Sequence, residues 1–209
     1  MIRRCTFFLL LACGCFIGAL TGAAAEKEWT SPNGRFVFRE VEEGDFGVVE
    51  VKSGKTLLGG EERVHAIEKE IAAVWAKDSR HLAVNFREGG RYMATQLYEL
   101  TGKKFRQMPD VTDPISPRGE AARKAEVKRR KLPADIYLRR IWDTYRTERW
   151  LDAQTVEVFV YSEKTYVTDK ESEDIDSIVV TAVYTVRFGK EGELKIVGRR
   201  EPTAKERGD

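Results

Sequence analysis

Apolar positions alternate with others along three stretches of the chain, and each stretch opens on a tryptophan and a short polar turn. Trp29 precedes Ser31-Pro32-Asn33-Gly34 and then Phe36-Val37-Phe38. Trp75 precedes Lys77-Asp78-Ser79-Arg80 and then Leu82-Ala83-Val84. Trp150 precedes Asp152-Ala153-Gln154 and then Val156-Glu157-Val158. A period of two puts successive side chains on opposite faces of an extended segment, so each run predicts a strand with one buried face. Pro32, Asn33 and Gly34 supply the turn chemistry of the first copy. Each copy then continues with a second alternating strand, a turn containing glycine and lysine, and a third short strand. These fall at 48–52, 53–55 and 56–58, then at 96–100, 101–103 and 104–105, and finally at 182–188, 189–192 and 193–197. Three antiparallel meanders follow from that pattern. The shared place of the three tryptophans before a strand favours core packing over ligand stacking.

The tryptophans stand 46 and then 75 residues apart, so the second interval predicts an insertion. Pro114 and Pro117 break the alternation, and Ser116 before Pro117 predicts an N-cap and a first helical position. A helix is expected over 118–131, built of alanine and charge and ending in Lys128-Arg129-Arg130-Lys131. After Pro133, the spacing of Ala134, Leu138, Ile141, Trp142 and Tyr145 predicts a second helix with one apolar stripe. Asp135 near its start and Arg146 near its end suit the helix dipole. The organisation expected is two β units over 26–112, a helical basic insertion over 113–149, a third β unit over 150–200 and a polar tail over 201–209.

Residues 1–25 have the layout of a secretory signal peptide, with Arg3 and Arg4, an apolar run over 7–20, and small residues up to Ala25. The run is shorter than the roughly 20 residues that span a bilayer core, so the expected product is periplasmic or secreted, with no transmembrane segment in the mature chain. Leu10-Leu11-Ala12-Cys13 also fits a lipoprotein box, although cleavage there would leave apolar 16–20 at the new terminus. Cys5, Cys13 and Cys15 all precede Ala25, so the mature chain has no thiol for disulfides, zinc thiolates or nucleophilic catalysis.

Loss of Arg3 and Arg4 leaves acids and bases balanced in the mature chain. Residues 118–149 nevertheless hold 11 bases against 5 acids. Lys128, Arg129, Arg130 and Lys131 are therefore the candidate binding residues, for an envelope protein or an anionic polymer; a lipid headgroup or a merely solvated helix face are the other readings. Nucleic acid is set aside, because the chain is exported and its basic run lacks interleaved aromatics for stacking.

The strings Ser31-Pro32-Asn33-Gly34-Arg35-Phe36-Val37-Phe38 and Trp75-Ala76-Lys77-Asp78-Ser79-Arg80-His81-Leu82-Ala83-Val84 resemble the repeat of the TolB-type β-propeller family, whose blades carry a Trp-x-Ser-Pro-Asp-Gly-like turn before a strand. The likeness covers 29–108 and, more weakly, 150–197. The third copy lacks the proline and glycine of the turn, and three units fall short of the four to eight blades of a closed propeller. The resemblance implies blade-like antiparallel meanders in an open or otherwise closed arrangement, completed by the insert or by another chain; with the spacing above, the fold expected is mainly β with an α-helical insertion. It also implies a periplasmic or secreted interaction scaffold, and no catalytic residue.

Candidate chemistry is sparse. His81 opens a strand and reads as outward and solvated, while His65, in the charged 59–70 connection, reads as a surface residue. Neither has a ligand-spaced partner, so no zinc site is expected. The acidic tract from Asp169 to Asp176 would need glycine and glutamate where Asp174 and Val180 stand to be a calcium loop, and it reads as a polar loop. Gly59-Gly60 and Gly89-Gly90 lack the helix or Lys-Ser that would follow in a phosphate cradle. No Gly-x-Ser-x-Gly elbow is present and no cofactor is expected. The function expected is an exported, non-catalytic binding or assembly module at the cell envelope, with the basic insert and the acidic 163–176 segment as recognition elements. The alternatives are an exported hydrolase using a carboxylate pair in a groove, and a structural accessory whose helix completes another protein.

Overall fold

Three tryptophan-headed meanders form in the computed structural model, which describes residues 27–132, 137–167, 175–189 and 192–208. The segment 1–25 read as a signal peptide, Pro133 and Ala134, residues 169–174 of the acidic tract 169–176, and the Lys190-Glu191 turn lie outside the described residues. The first meander is β1 (Trp29–Thr30), β2 (Phe36–Glu42), β3 (Asp45–Glu50) and β4 (Thr56–Leu58). With β5 (Val64–His65), which pairs β3 beyond β4, they make a five-stranded antiparallel sheet. Gly47 in β3 stands where the Leu58 carbonyl approaches, and a Cβ would collide with it.

The second meander is β6 (Ile71–Trp75), β7 (His81–Arg87), β8 (Tyr92–Thr101) and β9 (Lys104–Gln107). After α1 (Ser116–Arg130), the third is β10 (Tyr137–Asp152), β11 (Thr155–Val167), β12 (Ile175–Phe188) and β13 (Leu194–Arg200), followed by the single turn α2 (Ala204–Arg207). The protein is mainly β. The second and third meanders share one eight-stranded sheet, in the order β13-β12-β11-β10-β8-β7-β6, with β9 alongside β8. Its pairings are antiparallel except at the seam, where β10 runs parallel to β8 through Asp143 opposite Tyr92 and Thr144 opposite Met93.

Past Thr144 the backbones of β10 and β8 part, and a side chain takes over the pairing. The Asn85 amide of β7 donates to the Thr147 carbonyl at 3.0 Å and accepts the Thr147 N–H at 2.8 Å. The Thr95 and Thr147 hydroxyls meet at 2.8 Å beside it, so these buried polar groups are matched. Two indoles tie successive units: Trp75 Nε1 donates to the Trp29 carbonyl at 2.9 Å, and Trp150 Nε1 to the Val74 carbonyl at 3.1 Å. Phe36, Phe38, Phe46, Leu82, Tyr98 and Phe105 form the core between the first and second units. Val111, Ile115, Trp150, Val158, Val160 and Tyr184 form the core between the second and third.

The second helix expected after Pro133 is not formed; residues 137–152 are strand. The segment is rich in aromatic and β-branched residues, and β11 offers backbone partners along almost its whole length. Ile141, Trp142 and Tyr145, grouped on one helical stripe, are consequently divided between the two faces of the sheet. Helix α1 does form, but Ile115 is the N-cap and Ser116 lies within the helix, its hydroxyl donating to the Thr112 carbonyl at 3.0 Å.

Register fixes what shares a face. Arg87, Met93, Thr144, Tyr161 and Thr181 form one row across β7, β8, β10, β11 and β12. Arg146, Phe159, Val183 and Arg200 form the adjacent row, and Trp142, Glu163 and Val179 the row on the other side. The opposite face carries Val156, Val158 and Val160 into the core beneath Val111 and Ile115. Helix α1 lies on β12 and is held by charge more than by apolar contact: Glu120 reaches Lys164 at 3.9 Å and Arg130 Nη1 donates to the Ser177 carbonyl at 3.1 Å. No helix among the described residues is long and apolar enough to cross a membrane.

Candidate functional site

The basic run predicted for recognition lies at the C-terminal end of α1, where positive charge offsets the helix dipole. Its two arginines turn back onto the helix. Arg129 grips Glu126 through two bonds of 2.7 and 2.6 Å, and Arg130 adds a third at 2.7 Å. These bonds hold the Glu126 carboxyl down at about 2. Lys131 adopts the left-handed conformation, φ 55°, that ends the helix, and its N–H closes the last turn. Lys128 and Lys131 project from the same end. The four residues are thus brought together; Glu126 offsets one of their four charges, and Arg130 also docks the helix on the Ser177 carbonyl.

A second concentration of cations sits on the sheet face defined by the Arg87, Arg146 and Trp142 rows. Here a cleft of about 250 Å³ opens beside the seam. Four elements send one arginine each to its wall: Arg87 from β7, Arg91 from the turn before β8, Arg146 from β10 and Arg207 from α2. Trp142, Phe159 and Tyr161 supply aromatic wall, and Glu206 is the one carboxylate among the lining residues. Arg146 is fixed by three contacts. Its Nε donates to Glu148 at 2.7 Å, its Nη2 to the Glu206 carbonyl at 2.7 Å, and its guanidinium lies 4.8 Å from the Phe159 ring centre. Arg87 is held by Glu70 at 2.9 Å and by the Gly90 carbonyl at 3.1 Å. Arg91 is exposed and its side chain has no hydrogen bond or ion pair among the described residues.

The Glu206 carboxylate is already engaged. Arg200 donates to it twice, at 2.6 and 2.8 Å, and the Thr203 N–H donates at 2.7 Å, which lowers its pKa to about 2. Tyr161 donates its hydroxyl to Glu163 at 2.7 Å, and burial with that bond pushes the phenol up to about 12. The cleft therefore presents neutral aromatic faces and four guanidinium groups, of which Glu70 and Glu148 pair with two, a combination suited to an anion.

His81 does not match its predicted place. It is 7% exposed rather than solvated, because the Trp150 ring of the third unit closes over it at 5.3 Å between centroids. Its Nδ1 meets Asp78 Oδ2 at 2.7 Å, and its Nε2 lies 3.7 Å from Glu99 Oε1. Although burial opposes it, hydrogen bonds from Arg80 and His81 keep the Asp78 carboxyl below its ordinary range. His81 and Glu99 line a cavity of about 470 Å³ with Thr101, Arg106 and Gln154. His65 is exposed, as expected, and meets Asp45 at 3.0 Å. Among the described residues no group of three or more His, Cys, Asp or Glu is placed to hold a metal ion.

Comparison with models of protein families, with curated proteins and with solved structures finds no match for this chain.

The arginines of the cleft escape sequence reasoning because they are separated by 4, 55 and 61 positions and converge only through the β8/β10 seam. One signal was present: Trp142, Thr144 and Arg146 stand at alternate positions, the period of a strand, in a segment whose apolar spacing also fits a helix.

Proposed function

We propose that the mature chain is an exported, non-catalytic binding module of the cell envelope that recognises an anionic partner through the sheet face beside the seam. The observation that carries this reading is the convergence of Arg87, Arg91, Arg146 and Arg207 on one cleft, where Glu70 and Glu148 pair with Arg87 and Arg146, Glu206 is engaged by Arg200, and the exposed Arg91 side chain has no hydrogen bond or ion pair among the described residues. Cations gathered from four elements raise the local potential and attract a polyanion. The export signal, and the blade-like arrangement implied by the TolB-type resemblance, fit a rigid interaction scaffold. Titration calorimetry of the mature chain with dextran sulfate tests the reading. Binding that weakens with salt, is lost in R91E/R207E and survives reversal of Lys128, Arg129, Arg130 and Lys131 to glutamate is expected. Equal binding of uncharged dextran, or loss only in the helix variant, overturns it.

The hydrolase alternative is favoured by a different observation, the His81 ring held between Asp78 and Glu99 at the wall of the larger cavity. In that reading His81 Nε2 takes a proton from water, Asp78 orients the imidazole and Glu99 supplies the second carboxyl group. Turnover of an ester or glycoside panel that disappears in E99Q and in H81Q supports it; no turnover by the wild-type chain removes it.

A further inference from the structure

Resting on the anion-binding reading above, we propose that the cleft between β8, β10 and α2 is a site for a small ligand in which one planar aromatic ring system carries a phosphate or carboxylate group. Its volume, about 250 Å³, lies below the roughly 300–1,000 Å³ of pockets for drug-sized molecules and suits one ring system with its anionic substituent.

The wall is divided chemically. Trp142 and Tyr161 come from neighbouring rows of the same sheet face and offer flat apolar surface. Trp142 is 44% exposed and its indole has no ring partner among the described residues, so a stacking face is open to a ligand. On the other side, Arg87, Arg91 and Arg207 are carried by the end of β7, the turn before β8 and α2, with Arg146 between the two kinds of surface. A guanidinium forks a carboxylate or phosphate through parallel N–H donors and also stacks on a ring, so it serves both halves of such a ligand. Arg146 is oriented before binding by Glu148, the Glu206 carbonyl and Phe159, and need not be ordered by the ligand. The ring discriminates this site from a purely electrostatic one: Trp142 contributes nothing to a polyanion held by charge alone.

Calorimetric titration of the mature chain with 1-naphthyl phosphate, inorganic phosphate and 1-naphthol tests the inference, with circular dichroism confirming the fold of each variant. Naphthyl phosphate is expected to bind about tenfold or more tighter than either fragment, a difference equal to about one good ring stack together with its charge. Trp142→Ala is expected to weaken naphthyl phosphate by about tenfold, a larger factor than it takes from dextran sulfate, and R91E/R207E to weaken both. Inorganic phosphate binding as well as naphthyl phosphate, or an unchanged affinity in Trp142→Ala, overturns the ligand class. Dextran sulfate binding without naphthyl phosphate binding overturns this inference and leaves the anion-binding reading standing. Binding of neither overturns both.

Discussion

Asn85 and Thr147 exchange two hydrogen bonds across the seam of the larger sheet, the carboxamide standing in for a strand: Nδ2 donates to the Thr147 carbonyl at 3.0 Å and Oδ1 accepts the Thr147 N–H at 2.8 Å. The contact joins residues 62 positions apart and holds β10 beside β7 after β10 has left β8. The cleft and the His81 cavity both depend on the relative placement of the second and third units, which this pair holds together with the β8/β10 seam and the Trp150 bond to Val74.

Asn85→Ala leaves a buried N–H and a buried carbonyl without partners. Each such group costs about 1–3 kcal/mol, so a loss of about 2–4 kcal/mol is expected in urea unfolding at neutral pH. Asn85→Asp keeps the acceptor, loses the donor and faces a carbonyl with a carboxylate, and is expected to be no better. A cost below about 0.5 kcal/mol for Asn85→Ala contradicts the role given to the pair.

The indoles of Trp75 and Trp150 each reach back to the preceding unit. Trp150 is buried and stacked on Phe188, so Trp150→Ala is expected to cost about 3–5 kcal/mol. Trp150→Phe keeps most of the ring and loses the bond to Val74, for about 1 kcal/mol plus the volume change. Trp142→Ala, at a half-exposed position, is expected to cost under about 1 kcal/mol, and thermal denaturation of the three variants gives the ranking.

Gly47→Ala places a Cβ against the Leu58 carbonyl, a backbone atom that cannot swing away. Displacement of β4 from β3 is expected, with faster amide exchange over 48–49 and 56–58 and a destabilisation of about 1–3 kcal/mol. Unchanged exchange there contradicts the close approach.

Acid should loosen the face that carries the cleft. Hydrogen bonds from Arg200 lower the Glu206 pKa from 4.5 to about 2, and hydrogen bonds from Arg200 and Arg149 lower that of Glu157. A carboxyl whose folded pKa is depressed binds its proton more readily when unfolded. Its contribution is therefore complete above the unfolded value and is lost as pH falls from about 4.5 toward 2. Denaturant midpoints measured between pH 6 and 2 should fall in that window, and the fall should be shallower in Glu206→Gln. An equal slope in both proteins contradicts the linkage.

Much of the β architecture could be read from alternation and from the polar turns that reverse the chain, but the one buried face expected of each run is not what forms: Phe36–Phe38, Leu82–Phe86 and Val156–Val160 are buried on both faces, because the units pack against one another. What alternation cannot show is partnership across the insertion. Tyr92 and Met93 carry no mark that Asp143 and Thr144 will lie parallel to them, and without that seam the third unit reads as separate. The 137–152 strand was misread because Ile141, Trp142 and Tyr145 satisfy helical spacing, while the tie was broken by a non-local partner, β11. His81 was misplaced for the same reason: strand position gives its face, but the Trp150 ring that covers it comes from the next unit. The basic run on α1 was fully visible as sequence, whereas the turn of Arg129 and Arg130 back onto Glu126 depends on side-chain reach.

Amide NMR of the isotopically labelled chain over 26–209, titrated with low-mass dextran sulfate, addresses the central claim most directly, since it reports which residues meet an anion. The account predicts progressive shifts confined to 87–93, 142–146, 159–161 and 204–207, abolished by R91E/R207E. Shifts centred on 116–131, or no residue-specific shifts, contradict it.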